Sequence, residues 1–514
     1  MSVPVMVLPV LFLSCVLSPS RALAQEPVDK IGTRPAILSP ISLLKDDVDR
    51  RIVRTEVPEV PKRRPEKSFS PGLKLTFEDV IAIVDTSYPK ILQGRVEVDK
   101  AEAKHLESKG AFDPFYKHIS EFKRIQDIVI TGKAKNALHN EGQIELPTRS
   151  GVRLFGRFRV NPNDASTPFL QSGQSGEYTA GLLIPLLQGL GINKDRANEQ
   201  KAGLGKIISR INLNLSRMNV IYDTALSYWE WIMSYKKLQV VTDLLELGEA
   251  QEKLVRQRVA DGDLPAILIA EAEKEVRKRR GDQIAATRAM AKAGFKLALF
   301  LSGRAESQSP SLSPANFTEP GIEPREISQT EIATATKRAL SLRPELQLID
   351  LRRDIARVEL RLARNLMMPQ VNLLYRQGAD TGTNGIGMVL SGGVEMSVPL
   401  RQRRARGLAR QAELDLKNLD LEEQFLRQRI TLEVEDAASE VNASLGRLKQ
   451  AEEELERARR VEQGEQARFD LGDSSLLVVN LRQRARAEAE KKRIETYGDY
   501  LKGLAAFEIV SGNI

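Results

Sequence analysis

The sequence predicts a mainly α-helical protein with a membrane β part, built of two tandem repeats, each a long coiled-coil hairpin joined to β-hairpin segments. Three observations carry this expectation. The order of elements is written twice along the chain, each copy contains a very long proline-free stretch, and each contains a segment in which apolar and polar residues alternate. Composition agrees: aromatics are 5% and charged residues 28% of 514 residues, which suits charged helical rods better than a sheet-rich enzyme.

Residues 1–24 open with an apolar run from Val3 to Leu17 and end at Ala22-Leu23-Ala24, the pattern of a signal peptide cleaved before Gln25. The only cysteine, Cys15, falls inside this segment, so the exported chain can form no disulfide. A lipid anchor at Cys15 is disfavoured because Phe12-Leu13-Ser14 ahead of it makes a poor attachment signal. Residues 25–71 hold seven prolines among mixed charges and read as a flexible leader. No later stretch reaches the roughly 18 apolar residues of a membrane helix, so any membrane span must be β.

The first repeat, 72–303, opens with Leu75-Thr76-Phe77-Glu78-Asp79 and a short helix ending at Tyr88-Pro89, followed by a helix that runs to Phe112-Asp113-Pro114. The second, 328–514, copies it: Thr330-Glu331 opens a helix ending at Arg343-Pro344, and another reaches Met368-Pro369. Both repeats set those two prolines 25 positions apart. Proline punctuates helices because it cannot continue one. Each repeat then has a strand-like stretch ending in an apolar-Pro-Leu step, Ile184-Pro185-Leu186 and Val398-Pro399-Leu400, and a long helix that reaches a glycine, Gly262 or Gly472. Returning helices close at Gly303 and Gly512, and residues 304–327, rich in Ser, Pro and Glu, form the linker. From Asn193 to Arg258 no proline occurs; as a helix at about 1.5 Å per residue this would approach 100 Å. Val434, Val441, Leu448 and Leu455 recur every seven residues, with Ala438 and Leu445 between, as in a coiled-coil seam.

In the second repeat Ile386, Met388, Leu390, Val394, Met396 and Val398 alternate with small or polar residues, the signature of a transmembrane strand with lipid on one side and water on the other. Its partner is Val371 to Arg376. The first repeat has two comparable series, Val152 to Val160 and Tyr178 to Ile184, giving four core strands. That region is 41 residues longer than its counterpart; the excess, roughly Lys123 to Ser150 plus Asn161 to Gly176, is either an exposed loop or additional strands. Four strands cannot close a barrel alone, so several copies must share one.

Net charge is +8, but 77 basic residues stand against 69 acidic ones, interspersed along the chain. This describes solvated faces, and no nucleic-acid footprint. The runs Lys62-Arg63-Arg64 and Arg401 with Arg403-Arg404 are read the same way. With three histidines and no Cys/His spacing, neither a metal site nor a cofactor is expected. No Ser/His/Asp constellation, P-loop or dinucleotide-binding helix start occurs, so no enzyme is expected. Glu271, Glu273 and Glu275 sit on a charged helix and read as solvated.

The duplicated arrangement, with Pro185-Leu186-Leu187-Gln188-Gly189, Pro399-Leu400-Arg401, Gln411-Ala412-Glu413 and Gly472-Asp473-Ser474-Ser475-Leu476-Leu477, resembles the TolC family of outer-membrane efflux proteins over residues 73–512. The resemblance implies a homotrimer with a twelve-stranded barrel in the outer membrane of a Gram-negative type bacterium, four strands per protomer, above a periplasmic tunnel of helices. It implies a passive conduit for efflux or type I secretion, and partners: outer-membrane lipid, a periplasmic adaptor and an inner-membrane pump. Gly262, Asp263, Gly472 and Asp473 match the helical tips on which an adaptor would dock. Three copies of Asp261, Asp263 and Asp473 would ring the tunnel mouth with negative charge, although capping of the returning helices is the expected role of Asp263 and Asp473. The family's polar gate does not carry over, because Leu268, Val478, Phe469 and Ser474 occupy its positions. Apolar closure through Leu268 and Val478 takes its place as the expectation. Two other readings remain. A periplasmic adaptor has one hairpin where this chain has two, and a coiled-coil scaffold without a channel leaves the alternating strands unexplained.

Overall fold

A computed structural model describes residues 76–126, 134–161, 172–301, 322–382 and 385–512. The expected signal peptide with Cys15, the proline-rich leader with Lys62-Arg63-Arg64, and most of the linker lie outside the described residues.

The first repeat begins with helices α1 (Phe77–Ser87) and α2 (Pro89–Lys109), and the second with α5 (Gln329–Leu342) and α6 (Pro344–Asn365). Each pair starts at a capping box, Thr76 with Asp79 and Ser328 with Glu331, in which side chain and backbone satisfy each other's orphan groups. Each pair also changes helix at a proline in the first turn of the second member, Pro89 or Pro344, where its missing N–H costs nothing. The repeat is thus reproduced down to its caps.

Two long hairpins form the bulk of the protein. Helices α3 (Lys194–Ala260, 67 residues) and α4 (Ile267–Leu301) make the first; α7 (Arg403–Asp470, 68 residues) and α8 (Leu476–Val510) make the second. The expected seam holds: Val434, Ala438, Val441, Leu445, Leu448 and Leu455 are all buried. Around it a core joins both repeats, with Val80, Val84 and Ile91 of the short helices packed with Tyr228, Trp231 and Leu297 of the first hairpin and Ile430, Ala487 and Tyr500 of the second. No described helix is long and apolar enough to cross a membrane.

The strands form one antiparallel sheet in sequence order: β1 (Phe115–Gln126), β2 (Ala134–Pro147), β3 (Arg153–Val160), β4 (Gly176–Pro185), β5 (Gln370–Gly382) and β6 (Gly385–Ser397). The four expected core strands are β3 to β6. The sheet carries two more: Ala134–Pro147, inside the stretch left open between loop and strand, folds into β2, and Phe115–Gln126, most of it ahead of that stretch, folds into β1, so that six strands stand among the described residues where the resemblance implied four. β4 and β5 join the repeats, pairing from Gly176↔Thr381 to Pro185↔Asn372, and Leu186 N–H extends the ladder to Val371 O at 2.7 Å. The apolar-Pro-Leu step is therefore where the sheet hands over to helix. There Gly189 N–H donates to Asn365 Oδ1, and Gln402, left-handed at φ 46°, donates from Nε2 to Met367 O. Arg401, Arg403 and Arg404 beside it are exposed.

Candidate functional site

Two regions have the chemistry of a functional site: the faces of the sheet and the tips of the hairpins. Registration assigns every strand residue to a face. Tyr116, Phe122, Leu138, Ile144, Leu154, Phe158, Tyr178, Leu182, Leu373, Tyr375, Leu390 and Met396 fall on one face, because the cross-strand pairs link Tyr116↔Ile144, Phe158↔Tyr178, Leu182↔Tyr375 and Leu373↔Val394 in turn. Most of these apolar side chains lie in the open, Leu182 and Leu373 being half-buried: Tyr116 is 67%, Ile144 57%, Leu390 59% and Met396 65% exposed.

The opposite face carries most of the charges, and a cluster of them near its middle is buried. His139, Arg159, Glu177, Thr179 and Asn372 are each under one tenth exposed. Glu177 binds Arg159 at 2.5 Å and Arg157 at 3.3 Å, while Glu141 approaches Arg157 at 3.9 Å and His139 at 3.5 Å. Ion pairs between neighbouring strands pack these side chains against one another. Gly181 and Gly378 face inward at the β4–β5 seam, where a Cβ on Gly378 would come within 2.0 Å of Tyr178 O. Arg157 Nε, Arg159 Nε and Thr179 Oγ1 are buried there without a hydrogen-bond partner. This arrangement inverts that of a soluble sheet. Apolar side chains outside and paired charges inside suit a wall with hydrocarbon on one side and an aqueous lumen on the other.

The hairpin tips are alike in detail. In the first, Asp261 closes α3, Gly262 takes φ +83°, and Asp263 N–H and Gly262 N–H donate to the Arg258 and Val259 carbonyls at 2.9 and 3.1 Å. In the second, Gly472 also has φ +83°, and Asp473 and Gly472 donate to Arg468 and Phe469 at 2.8 and 3.0 Å. Both are Schellman closures, in which glycine supplies the left-handed residue. Asp261, Asp263 and Asp473 are exposed. Asp473 is not the cap of the returning helix: Ser475 is, and the Asp473 carboxylate lies 3.5 Å from Arg468 Nε. Asp473 lies two residues ahead of the N-cap position, and the Ser475 side chain there makes no capping hydrogen bond.

The expected gate residues are distributed unequally. Leu268 and Phe469 join Val255, Val259, Ala272 and Leu476 in a small apolar cluster that packs the two tips of one chain against each other. Val478, half-buried, is outside it. Beside the cluster Ser474 Oγ donates to Glu465 at 2.6 Å, with Arg468 and Arg482 at 3.6 and 3.7 Å from the same carboxylate. A polar clasp thus exists at the second tip, in which Ser474, at one of the expected gate positions, binds Glu465.

Sequence reasoning missed Arg279. It is 1% exposed and binds both hairpins: Nη1 donates to Leu244 O at 2.8 Å, Nη2 to Asn480 Oδ1 and Gln483 Oε1 at 3.0 and 2.9 Å, and Nε to Glu275 at 3.0 Å. Burial pulls its guanidinium below the ordinary arginine range and Glu275 opposes that shift. Gly248 admits it, since a Cβ there would lie 3.0 Å from Arg279 Cδ and Nη1. Glu275, read as solvated, is instead mostly buried, pairing with Arg279 and with Arg484 at 3.3 Å; Glu271 and Glu273 are exposed as expected. Among the described residues no group of His, Cys, Asp and Glu is arranged to hold a metal ion.

Residues 335–512 match the family model described as outer membrane efflux protein. No curated protein matches the chain in sequence. Solved structures share the fold. The outer-membrane channel OprN matches at 14% identity and TM-score 0.65, covering 85% of this chain and 89% of its own. A membrane protein from Pseudomonas aeruginosa matches at 16% identity and TM-score 0.65, covering 89% and 98%. The open state of the Neisseria gonorrhoeae MtrE outer membrane channel matches at 13% identity and TM-score 0.61, covering 88% and 94%.

Proposed function

With residues 335–512 identified as an outer membrane efflux protein domain in a chain that has the outer-membrane channel fold, we propose that this protein is the outer-membrane channel of a tripartite efflux or type I secretion system. The observation that carries the reading is the inverted sheet, with large apolar side chains exposed on one face and a buried charge network on the other. Neither an adaptor nor a coiled-coil scaffold requires such a sheet. It has two free edges, β1 and β6, and one chain's strands are too few to close a barrel, so copies join edge to edge. A homotrimer is the reading favoured by the resemblance, with the barrel in the outer membrane of a Gram-negative type bacterium and the helical hairpins in the periplasm.

In this reading residues 1–24 are the export signal, 25–71 a proline-rich leader, 72–303 and 328–514 the two repeats and 304–327 their linker. The tips at Gly262, Asp263, Gly472 and Asp473 receive a periplasmic adaptor, which connects to an inner-membrane pump. Asp261, Asp263 and Asp473, exposed in every copy, favour cations at the mouth. Leu268 and Phe469 hold the two tips of one chain together, and Val478 supplies the apolar constriction between chains. The conduit is passive: transport through it draws on the pump and needs no catalytic group in the channel.

Membrane fractionation and light scattering of the detergent-extracted protein test this. A trimer recovered with the outer membrane supports it, and a soluble monomer or dimer in the periplasm overturns it.

A further inference from the structure

We infer that the β2–β3 hairpin is part of the barrel wall, with its outer face on lipid, so that three copies close an eighteen-stranded barrel in place of a twelve-stranded one. The inference rests on the proposed trimeric channel and concerns its width. Connectivity is the first argument. The hydrogen-bond order is strictly linear, β1 pairs only with β2, and β2 and β3 stand between β1 and β4. No edge-to-edge closure through β1 and β6 can leave them out.

Register is the second. Through Leu146↔Leu154 and Leu154↔Leu182, the apolar residues of the hairpin fall on the same face as those of β4, and that face continues to β6. Ile144 is 57% and Phe158 38% exposed, on a face that no described helix covers. A hairpin standing free in water would have no reason to share this face. The opposite face is the third argument. Glu141 of β2 and Arg157 and Arg159 of β3 join Glu177 of β4 in one ion network, so the hairpin contributes to the same inner surface as the remaining strands. Barrel diameter grows about linearly with strand number, so six strands per copy widen the lumen by about half over four. A wide lumen of interleaved charges suits bulky cargo better than selection among small ions.

Single cysteines test the wall directly, since Cys15 is the only natural one. Spin labels are placed at Ile144→Cys and Phe158→Cys on the outer face, and at Gln143→Cys and Phe155→Cys on the inner face. Met388→Cys and Val389→Cys in β6 serve as reference, with trimers reconstituted in liposomes and relaxed by oxygen or by a water-soluble nickel chelate. Oxygen-dominated relaxation at 144 and 158, chelate-dominated relaxation at 143 and 155, and eighteen strands in barrel cross-sections by electron cryo-microscopy are expected. Alternation in β6 with chelate access at all four hairpin positions would overturn the inference and leave the channel standing. Loss of alternation in β6, or particles that are not trimers, would overturn both.

Discussion

Replacing Arg279 by Ala removes one guanidinium and leaves Leu244 O, Asn480 Oδ1 and Gln483 Oε1 without their donor; Glu275 keeps Arg484 at 3.3 Å. A buried acceptor left unsatisfied costs about 1–3 kcal/mol. The three are not additive, since Asn480 and Gln483 share one donor nitrogen, and breaking a buried charged network costs about 3–5 kcal/mol in total. At about 1.4 kcal/mol per tenfold, the segments tied by Arg279 should open roughly a hundredfold to a few thousandfold more often. Hydrogen exchange on the detergent-solubilised protein reads this in peptides spanning 240–250, 272–283 and 476–490, with peptides around Val80 and Tyr228 as internal reference. Arg279→Lys should recover only part of the protection, because a point charge cannot serve four acceptors on a planar fork. A change below threefold in the tied segments, or equal loosening around Val80, would refute the reasoning that Arg279 fastens the hairpins locally.

Other outcomes follow from the same structure. Gly262→Ala and Gly472→Ala should each cost about 1 kcal/mol at the tip, from the left-handed φ alone, since nothing lies within 4 Å of a Cβ there; asparagine should be milder than alanine, by exchange in the tip peptides. The Glu331 carboxyl is held at about 2, first by the Arg325 guanidinium and then by the Ser328 N–H. Its contribution is therefore full above the ordinary value of 4.5 and lost as pH falls toward 2; the group is exposed, so the effect stays under about 1 kcal/mol, and Glu331→Gln should flatten the thermal midpoint over that window. Glu177→Gln leaves Arg157 and Arg159 on the inner face without their shared carboxylate, and the reversal potential in a salt gradient should move toward anion preference. Val478→Ala should raise the open probability of the reconstituted channel, whereas Leu268→Ala should chiefly loosen the tip cluster, seen as faster local exchange.

The fold was legible wherever the sequence repeated itself or kept a strict period. Pro89 and Pro344 marked helix changes because proline has no N–H to give, and the Val434-to-Leu455 seam was visible because a helix must place one residue in seven on the same line. β5 and β6 were readable for the same reason: Ile386 to Met396 alternate with little interruption. β1 and β2 were not, because His118, Ser120, Asn136, Asn140 and Gly142 fall on their apolar face and break the period that Tyr116, Phe122, Leu138 and Ile144 would set. Such residues become interpretable only once pairing shows which neighbours share the face. Arg279 was hidden differently: Arg277-Lys278-Arg279-Arg280 is a solvated run by composition, and only the docking of α8 makes its third member a buried tie. Gly262 and Gly472 take the left-handed turns at the hairpin ends, while the cap position falls at Ser475 and not Asp473 because the Schellman closure uses Asp473 N–H before the next helix begins.

The central claim is that the inverted sheet encloses a water-filled passage. Single-channel recording in planar bilayers with the purified protein tests it most directly. The account predicts discrete ion-conducting steps that scale with bath conductivity, and whose ion preference shifts toward anions in Glu177→Gln. Membrane-inserted protein with no conductance in any tip variant, Val478→Ala included, would contradict it.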